Sequence, residues 1–285
     1  MRMRRTASAG SILGLLLGLI LILILACGSP GQQQSQEREA PERPGITITV
    51  IYDNYEYDPR LRTAWGFSCL VEGLEETILF DTGGDSEILL GNMRTLGIDP
   101  SEIDVIVLSH IHGDHVGGLF GLLEENSDVR VYLPASFPQD FKDRVRASGA
   151  EVVEVHDPLR ICDHAYSTGE LGSGILEQSL VIESGEGLVV ITGCAHPGVV
   201  NIVRKAKEIL DEGEGIYLVM GGFHMAGFSE PRIREVIAQF KEEGVQKVGP
   251  CHCSGDLTRK LFREAYGEDY IEVGVGRAIE IAGKP

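Results

Sequence analysis

Between residues 109 and 115 the chain reads Ser109-His110-Ile111-His112-Gly113-Asp114-His115, which places three imidazoles and one carboxylate within six positions. Imidazole and carboxylate together form a borderline donor set suited to zinc, iron or manganese. The segment follows Val105 to Leu108, a wholly apolar run that predicts a strand buried on both faces. A strand end holds side chains rigidly, and Gly113 is expected to let the backbone turn sharply. Three of the eight histidines fall in this one stretch, directly after a core strand. That density argues against a surface loop that merely happens to hold histidine.

Further candidate donors lie downstream, each beyond a run that predicts a strand. His196 follows Leu188 to Ile191, His224 follows Ile216 to Met220, and His252 follows Lys247 to Gly249. Histidines at strand ends would gather along one edge of a sheet, where open sheets build sites. Cys194 could add a thiolate or serve as a buried structural thiol. His156 and His164 belong to no usable motif.

Elements able to position these residues are legible on either side. Ile46 to Tyr52, Phe67 to Val71 and Thr77 to Phe80 predict strands, and Ser86 to Leu96 has helical spacing of Ile88, Leu89, Met93 and Leu96. Leu119 to Leu123 begins a helix. Val129 to Leu133 and Val152 to Val155 flank another around Phe141 to Val145. Leu180 to Glu183 and Leu188 to Thr192 form a hairpin. The second half then alternates strand and helix: Val199 to Leu210, Arg232 to Phe240 and Leu257 to Tyr266 are helical. Tyr270 to Val275 and Ile279 to Ile281 are expected to close the chain as strands. Mixed sheets covered by helices fit this order, so the expected fold is an α/β class αββα sandwich in one domain over residues 46–285.

The motifs also carry a resemblance. His110-x-His112-x-Asp114-His115 followed by Gly117-Gly118, with Leu79-Phe80-Asp81-Thr82-Gly83 before it, resembles the signature of the metallo-β-lactamase superfamily. Glu177-Gln178-Ser179-Leu180, Thr192-Gly193-Cys194-Ala195-His196-Pro197-Gly198, Gly221-Gly222-Phe223-His224 and Cys251-His252-Cys253-Ser254-Gly255 are similar to one branch of it. That branch is the 7,8-dihydropterin-6-yl-methyl-4-(β-D-ribofuranosyl)aminobenzene 5'-phosphate synthases, and the likeness runs from about Ile46 to the C-terminus. It implies two divalent transition-metal ions, zinc first, with iron or manganese as alternatives. His110, His112 and His196 would hold one ion, and Asp114, His115 and His252 the other. His224 is implied as a ligand or a substrate contact, and Asp81 as the residue that orients a ligand histidine. Cys194 stands near the place where many superfamily members have a bridging carboxylate.

The implied activity is metal-dependent hydrolysis of a small ester, lactone or phosphoester. Two ions about 3.5–4 Å apart can share a hydroxide, and Asp114 can accept or return a proton. Alternatives are a synthase-like activity, a di-iron redox protein, or a non-catalytic ligand-binding lipoprotein. Redox relatives usually carry an acidic residue where this chain has His112, and a fused flavin domain. One departure from the branch is Trp65-Gly66-Phe67-Ser68, where histidine is usual at the first position.

The N-terminus predicts export. Arg2, Arg4 and Arg5 precede an uncharged run from Ser11 to Ala26, short for a membrane span but suited to a signal peptide. It ends Ile24-Leu25-Ala26-Cys27, which resembles a lipobox. Residues 1–27 are therefore expected to be a lipoprotein signal ending at lipidated Cys27, with 28–45 a flexible tether rich in Gln, Glu, Pro and Ser. The expected location is extracytoplasmic, anchored to the membrane by that lipid. The remaining cysteines number five, which leaves at least one thiol unpaired. A formal net charge of −18 argues against a nucleic-acid partner, leaving a small molecule as the expected substrate.

Overall fold

Strands form wherever β-branched and apolar residues run together. In chain order they are β1 (Ile46–Tyr52), β2 (Ser68–Glu72), β3 (Ile78–Phe80), β4 (Val105–Val107), β5 (Arg130–Pro134), β6 (Glu151–Val155), β7 (Leu159–Cys162), β8 (Ala165–Ser167), β9 (Leu180–Ser184), β10 (Gly187–Thr192), β11 (Ile216–Gly222), β12 (Lys247–Cys251) and β13 (Ala278–Ile281). Helices are α1 (Ser86–Leu96), α2 (Gly113–Val116), α3 (Leu119–Glu125), α4 (Gln139–Ala147), α5 (Val199–Ile209), α6 (Glu230–Glu242) and α7 (Asp256–Tyr266). These come from a computed structural model that describes residues 45–210 and 215–284. The expected signal peptide, Cys27 and nearly all of the tether lie outside the described residues. No helix among the described residues is long and apolar enough to cross a membrane.

Two mixed sheets result. One has seven strands in the order β13-β1-β2-β3-β4-β5-β6, the other six in the order β12-β11-β10-β9-β8-β7. Strands β3 to β6 run parallel, as do β10 to β12. Period-two alternation along each strand separates three apolar layers. Ile48, Val50, Phe80 and Val107 of the first sheet meet Ile182, Val189, Ile191 and Met220 of the second. The opposite face of the first sheet, with Ile51, Leu79 and Ile106, takes Leu89 and Met93 of α1 and Leu119 and Leu122 of α3. The outer face of the second sheet, with Val190 and Val219, takes Ile202 and Val203 of α5, Ile233 and Ile237 of α6, and Leu261 and Phe262 of α7. This is the expected αββα order. Each fully buried branched or aromatic side chain contributes about 1.5–3 kcal/mol to holding the layers together.

Local details depart from the sequence expectations in three places. The strand expected at Tyr270 to Val275 is absent, because the segment crosses from one sheet to the other. Its start bonds to β12 through Ile271 N–H to Val248 O (2.8 Å), and its end reaches the turn after β1 through Val275 N–H to Tyr55 O (2.8 Å). The strands β7 and β8 were not expected. Both are short and lie among Asp157, Asp163 and His164, so their apolar pattern is broken. Finally, Gly113 makes no special turn: a Cβ there would meet nothing within 4 Å. The demanding glycines are Gly117 and Gly118, where a Cβ would come within 2.3 Å of Gly84 O and 2.2 Å of Thr82 O. Their bareness lets the histidine-bearing turn lie directly on the loop after β3.

Candidate metal centre

The parallel strands of both sheets deliver their C-terminal ends to one edge. Asp81 follows β3, and His110 lies just beyond β4 with Asp114 and His115 on α2. Cys194 and His196 follow β10, His224 follows β11, and His252 follows β12. Four of the five described non-glycine residues with left-handed backbone are here: Asp81, Ala195, His224 and His252. Such conformations cost about 1–3 kcal/mol each and persist where surroundings over-determine them. They turn the chain sharply off each strand, so that neighbouring side chains face the same space.

The imidazoles are oriented from behind. His115 Nδ1 lies 2.7 Å from Asp81 Oδ2, His110 Nδ1 lies 2.9 Å from Ser109 Oγ, and His252 Nδ1 lies 3.1 Å from Asn54 Oδ1. Ser109 in turn donates its hydroxyl to Asp81 Oδ2 at 2.7 Å. In the neutral tautomer that donates Nδ1–H outward, each Nε2 keeps a lone pair directed inward. The Nε2 atoms of His115 and His252 then stand 3.2 Å apart, and Asp114 Oδ2 lies 3.6 Å from the first and 3.3 Å from the second. His112 Nδ1 lies 3.1 Å from His110 Nε2, and the rings of His112 and His196 are 4.9 Å apart. His196 Nε2 is buried with no hydrogen-bond partner. Converging lone pairs and an orphaned nitrogen are what a cation would satisfy, so this donor set fits transition-metal binding.

The electrostatics hold His110 and His196 ready as neutral ligands and make His115 the harder ring to deprotonate. Burial and the neighbouring imidazoles push the His110 pKa far down. Burial, then His224 and His112, bring His196 down to about 4, so both rings are neutral at neutral pH. At His115 burial opposes the charge, but Asp81 outweighs it and the pKa rises. Asp114 is raised by burial yet held well below the usual carboxylate range by His252 and His115, and stays ionised.

Donors group on two sides. Asp114, His115, Cys194 and His252 offer ligand atoms within 4.8 Å of one another, and so do His110, Cys194 and His196. His112 borders the second group. His224 sits apart, exposed, in a grouping with Cys194 and Cys253, its ring 4.3 Å from that of His196.

Several supporting residues carried no readable signal of role. Glu177, fully buried, accepts the backbone N–H of Cys194 (2.9 Å), Ala195 (2.8 Å) and His196 (2.8 Å), and so fixes the turn bearing two donors. Gln178 ties the sheets together: its Nε2 donates to Leu108 O (2.9 Å) and Tyr132 O (3.2 Å), while its Oε1 accepts from Ser167 Oγ (2.5 Å). The only available hint was their place in a motif similar to the synthase branch. Trp65 is 57% exposed at the rim, its ring 4.8 Å from that of His252. His156 and His164 lie elsewhere, beside Glu170 and Glu183.

A family model described as the metallo-beta-lactamase superfamily matches residues 66–206, the span that carries Asp81, the histidine motif and His196. The chain belongs to the metallo-β-lactamase superfamily. Among relatives of this superfamily it is similar to the 7,8-dihydropterin-6-methyl-4-(beta-D-ribofuranosyl)-aminobenzene-5'-phosphate synthase of Methanocaldococcus jannaschii, 29% identical, with 82% of this chain and 96% of the relative covered. It is also similar to the solved structure of Tm1679, a metal-dependent hydrolase of the beta-lactamase superfamily. That likeness has 28% identity and a TM-score of 0.70, over 83% of this chain and 99% of the other. A Ribonuclease Z of Nanoarchaeum equitans is 34% identical over a shorter stretch, 39% of this chain and 35% of the relative.

Proposed function

We propose that the chain is a metal-dependent hydrolase of a small ester, lactone or phosphoester, working from a dinuclear centre. The observation that carries this reading is the inward set of lone pairs. Three imidazoles have their Nδ1 tied behind them, and His196 Nε2 has no partner at all. His110, His112 and His196 would hold one divalent ion, and Asp114, His115 and His252 the other, with zinc, iron or manganese as suitable metals. Such ions supply Lewis acidity, lowering the pKa of water and drawing electron density from a carbonyl or phosphoryl oxygen. Asp114, held ionised, turns Oδ2 to His115 and His252, and proton transfer would fall to its other oxygen, Oδ1.

Substrate would approach past His196 and His224, which line a cavity of about 340 Å³ with Phe223, Met225, Arg204 and Arg232. The two arginines pair there with Glu243 and Glu235 in partly exposed positions. Exposed pairs of this kind contribute at most about 1 kcal/mol, so either arginine can exchange its partner for an anionic group on a ligand. An apolar-bodied anion of drug-like size suits these walls. A polynucleotide does not suit a chain of charge −18.

The test is chelation and reloading of the purified domain, followed by a panel of esters, lactones and phosphate mono- and diesters. Turnover of at least one class should vanish on chelation and return with zinc, manganese or iron. A domain that holds two ions and turns over none of the panel overturns the hydrolase reading. A second reading is favoured by the similarity to the Methanocaldococcus synthase over most of both chains. It predicts synthesis of a dihydropterin-methyl ribofuranosyl-aminobenzene phosphate, and Trp65 at the rim speaks for a different substrate.

We also propose that the protein is exported and held at the membrane by lipid on Cys27, which Ile24-Leu25-Ala26-Cys27 supports. Cys27→Ser should shift the protein from the membrane pellet to the soluble fraction, or stall it at precursor mass. Unchanged fractionation with unchanged mature mass would exclude lipid anchoring.

A further inference from the structure

Cys194 is common to every grouping of donors at this edge of the sheets. It joins Asp114, His115 and His252 on one side, His110 and His196 on another, and His224 and Cys253 on a third. Its Sγ lies 3.3 Å from His115 Nε2 and 3.5 Å from His252 Nε2. A buried structural thiol fills apolar space, as Cys69 does inside the layer between the sheets. Cys194, also buried, instead faces imidazole nitrogens, a carboxylate and the Cys253 thiol.

Nδ1 of each ring faces a side-chain oxygen, Asp81 Oδ2 or Asn54 Oδ1, so both Nε2 atoms are turned to the sulfur and one S–H proton cannot serve both. The thiol is also held in place. Its backbone N–H is fixed by Glu177, and the preceding residue admits only glycine, since a Cβ at Gly193 would lie 2.1 Å from Ser109 Oγ. Ala195 beyond it is left-handed (φ 61°), so Cys194 and His196 both turn toward the centre.

We propose that Cys194 Sγ is a metal ligand shared by the two ion positions, bound as a thiolate between the His110/His196 side and the Asp114/His115/His252 side. The inference rests on the dinuclear reading above. On loading, the S–H bond gives way to sulfur–metal bonds and the proton leaves to solvent. A sulfur donor at the shared vertex biases the centre toward zinc, iron(II) and cobalt(II) and against magnesium or calcium. Cys253, whose Sγ lies 3.6 Å from the Cys194 carbonyl oxygen, is adjacent to this vertex and is not a ligand in this arrangement.

The test is anaerobic loading of the purified domain with cobalt(II), read by ion stoichiometry and by the thiolate-to-cobalt charge-transfer band in the near ultraviolet. The wild type should bind two ions and show the band. Cys194→Ser should lose the band, and Cys253→Ala should keep it. X-ray absorption of the zinc-loaded wild type needs no variant, and it should place one sulfur at about 2.3 Å around each zinc on average. Two bound ions without a charge-transfer band overturn the role of Cys194 and leave the dinuclear reading standing. Half a sulfur per zinc overturns the shared position. A band that survives Cys194→Ser but not Cys253→Ala assigns the ligand to Cys253 and overturns the proposal. A wild type that takes up no cobalt or zinc removes the dinuclear reading and this inference together.

Discussion

His252→Ala and His196→Ala will each cost the protein bound metal and turnover together, whereas His224→Ala will keep its metal and change only its kinetics. His252 has its Nε2 3.2 Å from that of His115 and 3.3 Å from Asp114 Oδ2. Truncation there removes one donor and leaves a void beside the others. His196 contributes the one imidazole nitrogen at the centre that is buried without a partner. Residues that merely support a ligand are worth 10–100-fold in metal affinity, so loss of a ligand itself should exceed about 100-fold. His224 is exposed and lines the adjacent cavity. Its removal should alter KM, kcat or both at full metal content, the pattern of a lost substrate contact. Metal content after dialysis, measured beside steady-state kinetics, separates the cases. Two ions retained at wild-type affinity in His196→Ala would remove that residue from the donor set.

Asp81→Ala should be the most destabilising single change at the site even with no metal present. Asp81 is fully buried and accepts three hydrogen bonds, from Ser109 N–H, Ser109 Oγ and His115 Nδ1, each at 2.7 Å. Removing one partner of a buried charged network costs about 3–5 kcal/mol, a large share of the 5–15 kcal/mol typical of a folded domain. Alanine is also strained at a φ of 56°. Asp81→Asn tolerates that backbone and keeps the shape, but its amide group presents a donor toward one of the three donors now bound. It should lose metal affinity out of proportion to its loss of stability. Denaturant midpoints of the metal-free variants, compared with their metal content, test both statements. An Asp81→Ala unfolding free energy within about 0.5 kcal/mol of wild type, the range of an ordinary surface change, contradicts the account.

The candidate donors were legible because their signal is local. His110, His112, Asp114 and His115 declare themselves by spacing, and His196 and His252 by their place after apolar runs. Of what supports them only Asp81 was legible, from its motif; the other contacts join residues far apart in the chain. Asn54 meets His252 across 198 positions and Gln178 meets Leu108 across 70. No periodicity encodes such pairings. Cys194 shows the limit most clearly: from the sequence it could add a thiolate or serve as a buried structural thiol, and only the folded chain shows which way it faces. The same limit explains the 270–275 segment, whose strand-like residues bridge two sheets rather than extend one. The layered fold was easier to read, since period-two strands and amphipathic helices repeat their signal many times.

The donors also divide between the two sheets. His110, Asp114 and His115 follow β4 of the first, while Cys194, His196 and His252 follow β10 and β12 of the second. His115 and His252, 137 residues apart, close a loop that spans almost half the chain. During synthesis the first sheet's ligands therefore emerge long before their counterparts and cannot complete the centre alone. On the proposed dinuclear reading, ion capture would be the final event of maturation, dependent on docking of the last parallel strand. Ions so captured would act as a latch across the sandwich, resisting separation of its halves much as a long-range crosslink would. Chelation should then do more than silence chemistry: it should let the two sheets breathe apart along this edge, opening the interior layer to exchange with solvent and to proteases.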